Sequence, residues 1–306
     1  MTPRIVVIVG PTASGKSELA LRLADAAGGE VVSADSQQVY RGLDIGTGKV
    51  GAAERARAPH HRLDVVPPDG TMTAARFVDL ADAAVADVAA RGRAPIVAGG
   101  TGLYVRAFLR GLFAGPGADP EVRARLEDEA RATSVEALWA RLHAVDPAAA
   151  ARILRRDLRR IVRALEVYEL TGTPMSVHQA EHDVARAPLR YPARIVGLDP
   201  PRAELGARID RRVDEIFAAG LVAEVRGLLD RYPPTLSAFG AIGYREVIAH
   251  LLHAVSLADT VAAVKRATRR YARRQRAWFR ADPAVAWYTS AADVEVSGLS
   301  AWLKGS

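Results

Sequence analysis

The chain has 306 residues and a hydrophobic content of 49%, which is enough for one large domain with an insertion or for two modest domains. It has no cysteine, no run near the roughly 18 apolar residues of a membrane span and no apolar N-terminus long enough for a signal peptide, so we expect a cytoplasmic protein without disulfides or a membrane partner. The 42 Lys and Arg residues exceed the 35 Asp and Glu residues, and the net charge of +7 favours a polyanionic partner where it is clustered.

The first predicted elements are a strand at residues 5–9 and, directly after it, a phosphate-binding loop with the sequence GPTASGKS. In this G-x-x-x-x-G-K-S/T pattern the glycines permit a backbone whose N–H groups point at phosphate oxygens. Lys16 adds a positive charge, Ser17 offers a hydroxyl ligand for Mg²⁺, and a helix at 18–26 directs its positive dipole end at the anion. The pattern therefore predicts binding of a di- or triphosphate. The predicted loop residues are Gly10, Pro11, Thr12, Ala13, Ser14, Gly15, Lys16 and Ser17.

A carboxylate directly follows the second predicted strand. Asp35 is expected at the carboxyl edge of the sheet, where such folds bind ligands, with capping of the next turn as the alternative role. The residues behind it carry donors and acceptors suited to reading a base edge, and they are Ser36, Gln37 and Gln38. The third strand ends in GGTG and lacks the Asp that P-loop proteins moving a γ-phosphate usually carry at a neighbouring strand end.

Strands and helices alternate along the rest of the chain. The predicted strands are residues 5–9, 30–34, 94–98 and 194–198, with helices at 18–26 and 73–90 between them. This alternation predicts an α/β fold, with a P-loop NTPase-like parallel sheet flanked by helices. Further helices are expected at 201–220, 221–232 and 257–279. The GTGK segment at 46–49 is interpreted as a turn near the substrate, with Lys49 as a phosphate contact. The pair His60-His61 is interpreted as packing or hydrogen-bonding residues rather than metal ligands.

Nearly a hundred residues separate the third strand from the fourth, too many for one crossover. They predict an all-helical insertion at 116–190, which leaves 1–115 and 191–306 as the catalytic core. Its predicted helices are residues 121–133, 135–144, 147–154 and 157–170.

Most of the clustered positive charge lies in two runs. Residues 152–163 contain six arginines and one acid, and residues 265–280 contain eight cations and no acid. At helical spacing, positions 152, 156, 159 and 163 form one stripe and positions 269, 273, 276 and 280 a second. Either run could be a solvated helix face. The aromatic residues of the second run, Tyr271 and Trp278, are at a spacing that favours packing over base stacking.

Eight segments in chain order resemble the motif set of the bacterial tRNA dimethylallyltransferases. They are GPTASGKS, SADSQQVYRGLDIGTGK at 33–49, HHRLD at 60–64, GGTGLYVRAFLRGL at 99–112, RRIVRALEVYELTG at 159–172, AGLVAEVRGL at 219–228, AIGYRE at 241–246 and RRYARRQRAWFR at 269–280. The match covers nearly the whole chain. The family commonly has Thr at the position of Ser17 and Gln at that of Arg159, and neither difference removes a function.

This resemblance implies transfer of a dimethylallyl group from dimethylallyl diphosphate to the exocyclic amine of the adenosine 3′ of the tRNA anticodon. The diphosphate is then the leaving group, which explains why no second metal-binding carboxylate is needed, and Lys16 with a Ser17-bound Mg²⁺ would stabilise its charge. By similarity, Arg208 and Arg212 close over the same diphosphate, and a surface pair is the alternative. Asp35 orients the adenine amine first and accepts its proton late in the reaction, and Thr101 is a second contact to the target nucleotide.

The resemblance also implies partners and tRNA-binding positions. The protein would bind the tRNA anticodon stem-loop, whose unpaired adenine can be flipped out at little cost in free energy. It would act as a monomer without an obligate protein partner. The first arginine stripe would contact the anticodon stem, and the second would be partly structural. Besides Asp35, residues 36–38 and Thr101, the implied tRNA-binding residues are Arg123, Arg159, Arg160, Arg163, Gly243, Tyr244 and Arg245.

Three alternatives stay open on the residues alone. The phosphate loop by itself fits a small-molecule P-loop kinase, which would have no use for the arginine stripes. An isopentenyltransferase acting on free adenine nucleotides would have no need of the helical insertion. An RNA-binding module with a vestigial loop would bind tRNA without turnover.

Overall fold

The computed structural model describes residues 2–112, 115–181 and 187–305, and its centre is a parallel sheet. Within those residues the strands are β1 (Ile5–Val9), β2 (Gly29–Ser33), β3 (His60–His61), β4 (Ala94–Gly99), β5 (Ala193–Leu198) and β6 (Val285–Tyr288). Their order is β3-β2-β4-β1-β5-β6, and every neighbouring pair is parallel. The predicted fold class is confirmed, while the two edge strands β3 and β6 were not predicted.

The helices follow in chain order. They are α1 (Lys16–Ala27), α2 (Ala52–Arg57), α3 (Ala74–Ala90), α4 (Gly102–Arg110), α5 (Pro120–Ala132), α6 (Val135–Val145), α7 (Pro147–Ala150), α8 (Leu158–Thr171), α9 (Met175–Glu181), α10 (Arg202–Ala218), α11 (Leu221–Leu229), α12 (Tyr244–His253), α13 (Leu257–Arg280) and α14 (Val296–Lys304). A 3₁₀ turn covers Ser237–Gly240. In the part of the chain that the structure describes, no helix is long and apolar enough to cross a bilayer.

Contacts divide the chain into two compact units, Met1–Leu109 with Leu189–Ser306 and Arg110–Pro188. In the first unit, β1 is buried on both faces because it lies inside the sheet. Val7 and Val9 pack on one side with Phe77 of α3, while Val6 and Ile8 pack on the other side with α1. This two-sided burial explains the unbroken apolar run at 5–9 and places the loop that follows β1 at the carboxyl edge of the sheet.

The second unit is helical, and the helices α5, α6 and α8 enclose its core. Leu126, Leu138, Leu142 and Ile161 are fully buried there. Side chains before the helices accept hydrogen bonds from the first-turn N–H groups, which stabilises each helix start. These N-cap residues are Asp119, Ser134, Asp146 and Asp157. The sequence predicted an insertion at 116–190, whereas this unit begins at Arg110 and ends at Pro188.

The prediction that positions 152–163 form one helical stripe is wrong. α7 ends at Ala150, and Asp157 caps the start of the new helix α8, so positions 152 and 156 lie in the turn between the two helices. Arg152 instead donates to Gln179, and Arg156 pairs with Glu136. The arginines are regularly spaced in the sequence, but the helix is interrupted before Asp157, so they do not share one helix face.

Candidate active site

The loop after β1 has the backbone geometry of an anion cradle. Gly10 has φ +144° and Gly15 has φ +97°, both outside the range that other residues adopt readily. A Cβ on Gly10 would lie 2.5 Å from the carbonyl oxygen of Leu198 in β5, so the close approach of the two strand ends also needs glycine here. The loop leads directly into the N-terminus of α1, and the hydroxyl of Ser14 is buried with no hydrogen-bond partner among the described residues. Unused donors and a helix N-terminus make this end of the site ready for an anion.

Lys16 is held in the same loop. Its Nζ donates to the carbonyl oxygen of Pro11 at 2.6 Å. Burial lowers the pKa of Lys16 to about 8, Asp35 opposes this shift, and the positive charge of Arg212 adds to it. A bound anion would stabilise the ammonium form, because opposite charges favour the charged state of each other.

Asp35 follows β2 at the same edge of the sheet. Its Oδ1 accepts hydrogen bonds from the N–H groups of Gln37 at 2.8 Å and Gln38 at 3.3 Å, so the carboxylate also caps the turn. Among the described residues Oδ2 has no hydrogen-bond partner. The carboxylate is thus fixed by one oxygen and offers the other. The Nε2 of Gln38 is already used within the protein, because it donates to the carbonyl oxygens of Thr47 and Gly48.

Thr101 lies beside this turn. Its Oγ1 accepts from the N–H of Ser36 at 3.0 Å, and its own N–H donates to the carbonyl oxygen of Ala34 at 3.3 Å. A Cβ on Gly99 would overlap the backbone of Ala34, so the glycines that end β4 allow the two strand ends to touch. The structure therefore brings Thr101 and Asp35 together at adjacent strand ends.

One cavity of about 410 Å³ joins the two ends of this site. The phosphate loop from Thr12 to Glu18 lines one part, and Asp35 with the three residues after it lines another. The sequence did not predict the residues of α13 that line it, which are Val264, Thr268, Tyr271, Arg274 and Gln275. Four of them recur three or four residues apart on one helix face, a spacing that was available in the sequence but is equally typical of a core face.

The two arginines implied for the diphosphate behave differently. Arg212 lines the cavity, and its Nη2 donates to the carbonyl oxygen of Gly48 at 3.4 Å. Arg208, one turn earlier on α10, pairs with Glu204 and is not among the described residues that line the cavity. The geometry thus brings Arg212 to the site, while Arg208 forms an ion pair with Glu204 away from the cavity.

Tyr244 corrects one of the implied tRNA contacts. It is 0% exposed, so its side chain has no surface to offer to RNA. Its hydroxyl donates to Glu224 at 2.5 Å, and the same carboxylate accepts the N–H groups of three successive residues, 44 to 46. Tyr244 and Glu224 therefore hold the loop that carries Gly48 into the cavity. Burial and the Glu224 charge raise the pKa of Tyr244 well above its usual range, so the hydroxyl stays a donor.

The neighbouring Gly243 and Arg245 line the cavity. Lys49 does not act as predicted, because its side chain is 2% exposed and its Nζ pairs with Asp44 at 2.5 Å and Asp64 at 2.7 Å. These two carboxylates neutralise the lysine and remove it as a phosphate contact.

In the helical unit, a buried carboxylate organises two of the implied tRNA contacts. Arg123 and Arg163 both pair with Glu166, which is fully buried. Burial would raise the pKa of Glu166, but the hydrogen bonds from the two arginines hold it below its usual value. Arg160 pairs with Asp157, whereas the exposed Arg159 has no ion-pair partner among the described residues.

The second arginine stripe is largely engaged with acids. Arg276 and Arg280 both pair with the buried Asp199, and Arg269 pairs with Asp210. Trp278 packs against Gly102, with the guanidinium of Arg106 4.0 Å from its ring centre. Packing thus accounts for Trp278, while Tyr271 lines the cavity instead.

The site contains few protein ligands for a cation. Within the described ranges, no group of three or more His, Cys, Asp or Glu side chains is placed to hold a metal ion. The Nε2 of His61 is hydrogen-bonded to Glu30 at 2.7 Å, in line with the hydrogen-bonding role given as one of its two interpretations. The hydroxyl of Ser17 on the first turn of α1 lines the cavity, so a divalent ion here would take its remaining ligands from water and phosphate oxygens, as Mg²⁺ commonly does.

The chain matches a family model and several characterised sequences and structures. Residues 38–282 match the IPP transferase model. A protein of Anaeromyxobacter dehalogenans named tRNA dimethylallyltransferase is 56% identical over 292 residues, which cover 95% of this chain and 97% of that protein. The crystal structure of the full-length tRNA isopentenylpyrophosphate transferase from Bacillus halodurans is 38% identical, with a TM-score of 0.71, over 99% of this chain and 96% of that one.

A structure of a eukaryotic dimethylallyltransferase acting on tRNA superposes with a TM-score of 0.77 at 28% identity, over 98% of this chain and 76% of that one. These matches confirm the resemblance read from the eight motifs. By the family model and by identity over nearly its whole length, this chain belongs to the IPP transferase family.

Proposed function

We propose that the protein transfers a dimethylallyl group from dimethylallyl diphosphate to the exocyclic amine of the adenosine 3′ of the anticodon in tRNA and releases diphosphate. One observation carries this proposal. A single cavity has the phosphate loop at one part of its wall and the Asp35 turn at another, so a diphosphate and an amine can be held together. The names of the relatives support the prenyl donor and the tRNA acceptor.

At the donor end, the site is built for a leaving anion. The N–H groups at the N-terminus of α1, the ammonium of Lys16 and the guanidinium of Arg212 would face the charge that grows on the diphosphate as the allylic C–O bond breaks. The lowered pKa of Lys16 favours this use, because a poorly solvated cation gains more from a new anion than a hydrated one does. Mg²⁺, held by the Ser17 hydroxyl and the diphosphate, would supply further charge neutralisation when bound.

At the acceptor end, the free Oδ2 of Asp35 is the group that would accept a hydrogen bond from the adenine amine. A carboxylate is too weak a base to deprotonate a neutral aryl amine, so Asp35 orients the amine first and receives a proton only after the nitrogen has begun to bond to carbon. Thr101 supports this role through its hydrogen bond to Ser36, which fixes the turn next to Asp35.

The tRNA would be held by arginines whose charge is not fully balanced by acids. Arg159 on α8 has no ion-pair partner among the described residues, and Arg163 shares the single carboxylate of Glu166 with Arg123. Arg160 is exposed beside them, although it pairs with Asp157. The target adenine lies in an unpaired loop, so flipping it into the cavity costs little. We further propose that the enzyme acts in the cytoplasm as a monomer.

The same observations disfavour the alternative functions. A kinase needs a metal-binding carboxylate near the γ-phosphate, and β4 ends instead in Gly99, which packs against Ala34. An enzyme for free adenine nucleotides would have no use for the helical unit at Arg110–Pro188. A pure RNA-binding protein would gain nothing from a buried lysine in a phosphate loop, since such a residue costs folding free energy.

The test uses the protein with dimethylallyl diphosphate, Mg²⁺ and an unmodified tRNA that has adenosines beside the anticodon. Nucleoside mass analysis should show a prenylated adenosine. Asp35→Asn should abolish turnover and keep tRNA binding, while Asp69→Asn, which changes an exposed aspartate, should match the wild type. Full turnover in Asp35→Asn would refute the acceptor role of Asp35, and no prenylated adenosine with wild-type protein would refute the function.

A further inference from the structure

Gln275 is a buried, uncharged polar residue in the arginine-rich helix α13. Its side chain is 5% exposed and makes two hydrogen bonds to backbone groups on different loops. Its Oε1 accepts from the N–H of Thr12 in the phosphate loop at 2.9 Å. Its Nε2 donates to the carbonyl oxygen of Gly100, after β4, at 2.8 Å. One side-chain amide therefore joins the loop after β1 to the loop after β4, beyond the ends of the two strands.

We propose that Gln275 is a positioning residue that sets the distance between the leaving diphosphate and the acceptor amine. The bridge continues from Gly100 to Thr101, and the hydroxyl of Thr101 accepts from the N–H of Ser36, next to Asp35. The phosphate loop is thus connected to the Asp35 turn through the side chain of Gln275, the peptide bond between Gly100 and Thr101, and the hydroxyl of Thr101. This inference rests on the proposed function and adds a residue that acts through the two loops it joins rather than on a reacting atom.

The surroundings of Gln275 are shaped for an amide. A Cβ on Gly100 would overlap its Nε2, so the bridge requires glycine at that position. Tyr271, one turn earlier on α13, lines the same cavity, and burial and the Asp35 charge raise its pKa to about 12. A glutamate could accept from Thr12 but would repel the carbonyl oxygen of Gly100, and a methionine could do neither. Only a side chain with both a donor and an acceptor serves both loops.

A displaced acceptor amine can be detected from the reaction products. In the transfer, the allylic C–O bond breaks, diphosphate leaves with the electron pair, the adenine nitrogen bonds to the allylic carbon, and one amine proton is lost. If the amine is displaced, the oxygen of water can form the new bond instead and lose a proton. The products are then dimethylallyl alcohol and diphosphate, so diphosphate release exceeds the formation of prenylated adenosine.

The experiment compares wild type, Gln275→Met and Gln275→Glu in the full chain with tRNA, dimethylallyl diphosphate and Mg²⁺. For both variants kcat for prenylated adenosine should fall by about tenfold to a hundredfold, the scale of a misplacement near 1 Å. The KM values for both substrates should stay within about threefold of wild type, because the groups that bind them remain. The ratio of diphosphate released to adenosine prenylated should rise clearly above one.

Thr260→Val is the matched control. Thr260 is also buried on α13, its hydroxyl donates to the carbonyl oxygen of Ser256, and it is not among the described residues that line the cavity. It should lose stability while keeping a ratio of one. Should Gln275→Met unfold below the assay temperature, Gln275→Asn, whose amide is one methylene too short for both loops, gives the same comparison.

Two results overturn the inference alone. They are a ratio of one with wild-type kcat in the Gln275 variants, and a loss confined to KM or equal to that of Thr260→Val. A wild-type protein that forms no prenylated adenosine removes the proposed function as well, and this outcome is recognised before any variant is measured.

Discussion

Raising the pH from 7 to 9 should weaken binding of the prenyl diphosphate by about tenfold. Lys16 has a pKa of about 8 in the free protein, so its protonated fraction falls from about ten-elevenths at pH 7 to about one-eleventh at pH 9. The anion favours the ammonium form, so the pKa of Lys16 in the complex is higher than in the free protein. The affinity for dimethylallyl diphosphate is therefore highest well below pH 8 and falls as the pH rises above 8. In that upper range, binding of the ligand is accompanied by uptake of a proton. The tenfold change corresponds to about 1.4 kcal/mol.

Isothermal titration of dimethylallyl diphosphate at pH 7, 8 and 9, without tRNA, measures both quantities. Two buffers of different ionisation enthalpy report the proton uptake directly. The ligand contributes little in this range, because the second ionisation of a phosphate group has a pKa near 6 and is about nine-tenths complete at pH 7. Lys16→Arg is the control, since a guanidinium stays charged and should give a flat profile. The reasoning is refuted by a flat profile in wild type, or by the same decline in Lys16→Arg.

Three substitutions away from the reacting atoms test the structural roles. Tyr244→Phe removes the hydroxyl that donates to Glu224 and should lower the free energy of unfolding by about 1–3 kcal/mol in urea titrations while leaving the Kd for tRNA unchanged; a weaker Kd at unchanged stability would restore Tyr244 as an RNA contact. Arg62→Met should raise the free energy of unfolding by about 1–3 kcal/mol, since Arg62 is 6% exposed and two of its nitrogens have no partner among the described residues, and a destabilised variant would contradict this. Glu166→Gln should lose stability above pH 5 and lose less near pH 3, because the lowered pKa of Glu166 stabilises the fold above its unfolded pKa and this contribution disappears as the pH falls, so an equal loss at both pH values would count against the ion pairs.

The fold was predictable where burial is strong and local. β1, β2, β4 and β5 are the inner strands, and their apolar runs are unambiguous. β3 and β6 are the edges, and there the signal is weak, because His60–His61 has only two residues and Val285–Tyr288 is buried at just one end. Edge strands satisfy half as many backbone partners, so their sequences are less constrained.

The site was predictable where its residues are consecutive. The phosphate loop and the Asp35 turn are continuous segments, so their residue types alone indicate their chemistry. Gln275 and Tyr271 contribute from a helix more than 170 residues away from Gly100, and only the packing of α13 reveals which of its faces meets the cavity. Helical periodicity identifies a face but not its neighbour.

Three motifs of the family resemblance meet in one hydrogen-bond cluster, and this changes what they explain. Glu224 comes from AGLVAEVRGL and Tyr244 from AIGYRE, and the N–H groups that Glu224 accepts belong to residues 44 to 46 of SADSQQVYRGLDIGTGK. That loop presents the carbonyl oxygen of Gly48, which both Gln38 and Arg212 use. Tyr244, a motif position implied for tRNA, therefore helps to hold the loop that Arg212 contacts. Because Arg212 donates to the carbonyl oxygen of Gly48, we expect substitutions of Glu224 or Tyr244 to weaken binding of the prenyl diphosphate and to leave the Kd for tRNA unchanged.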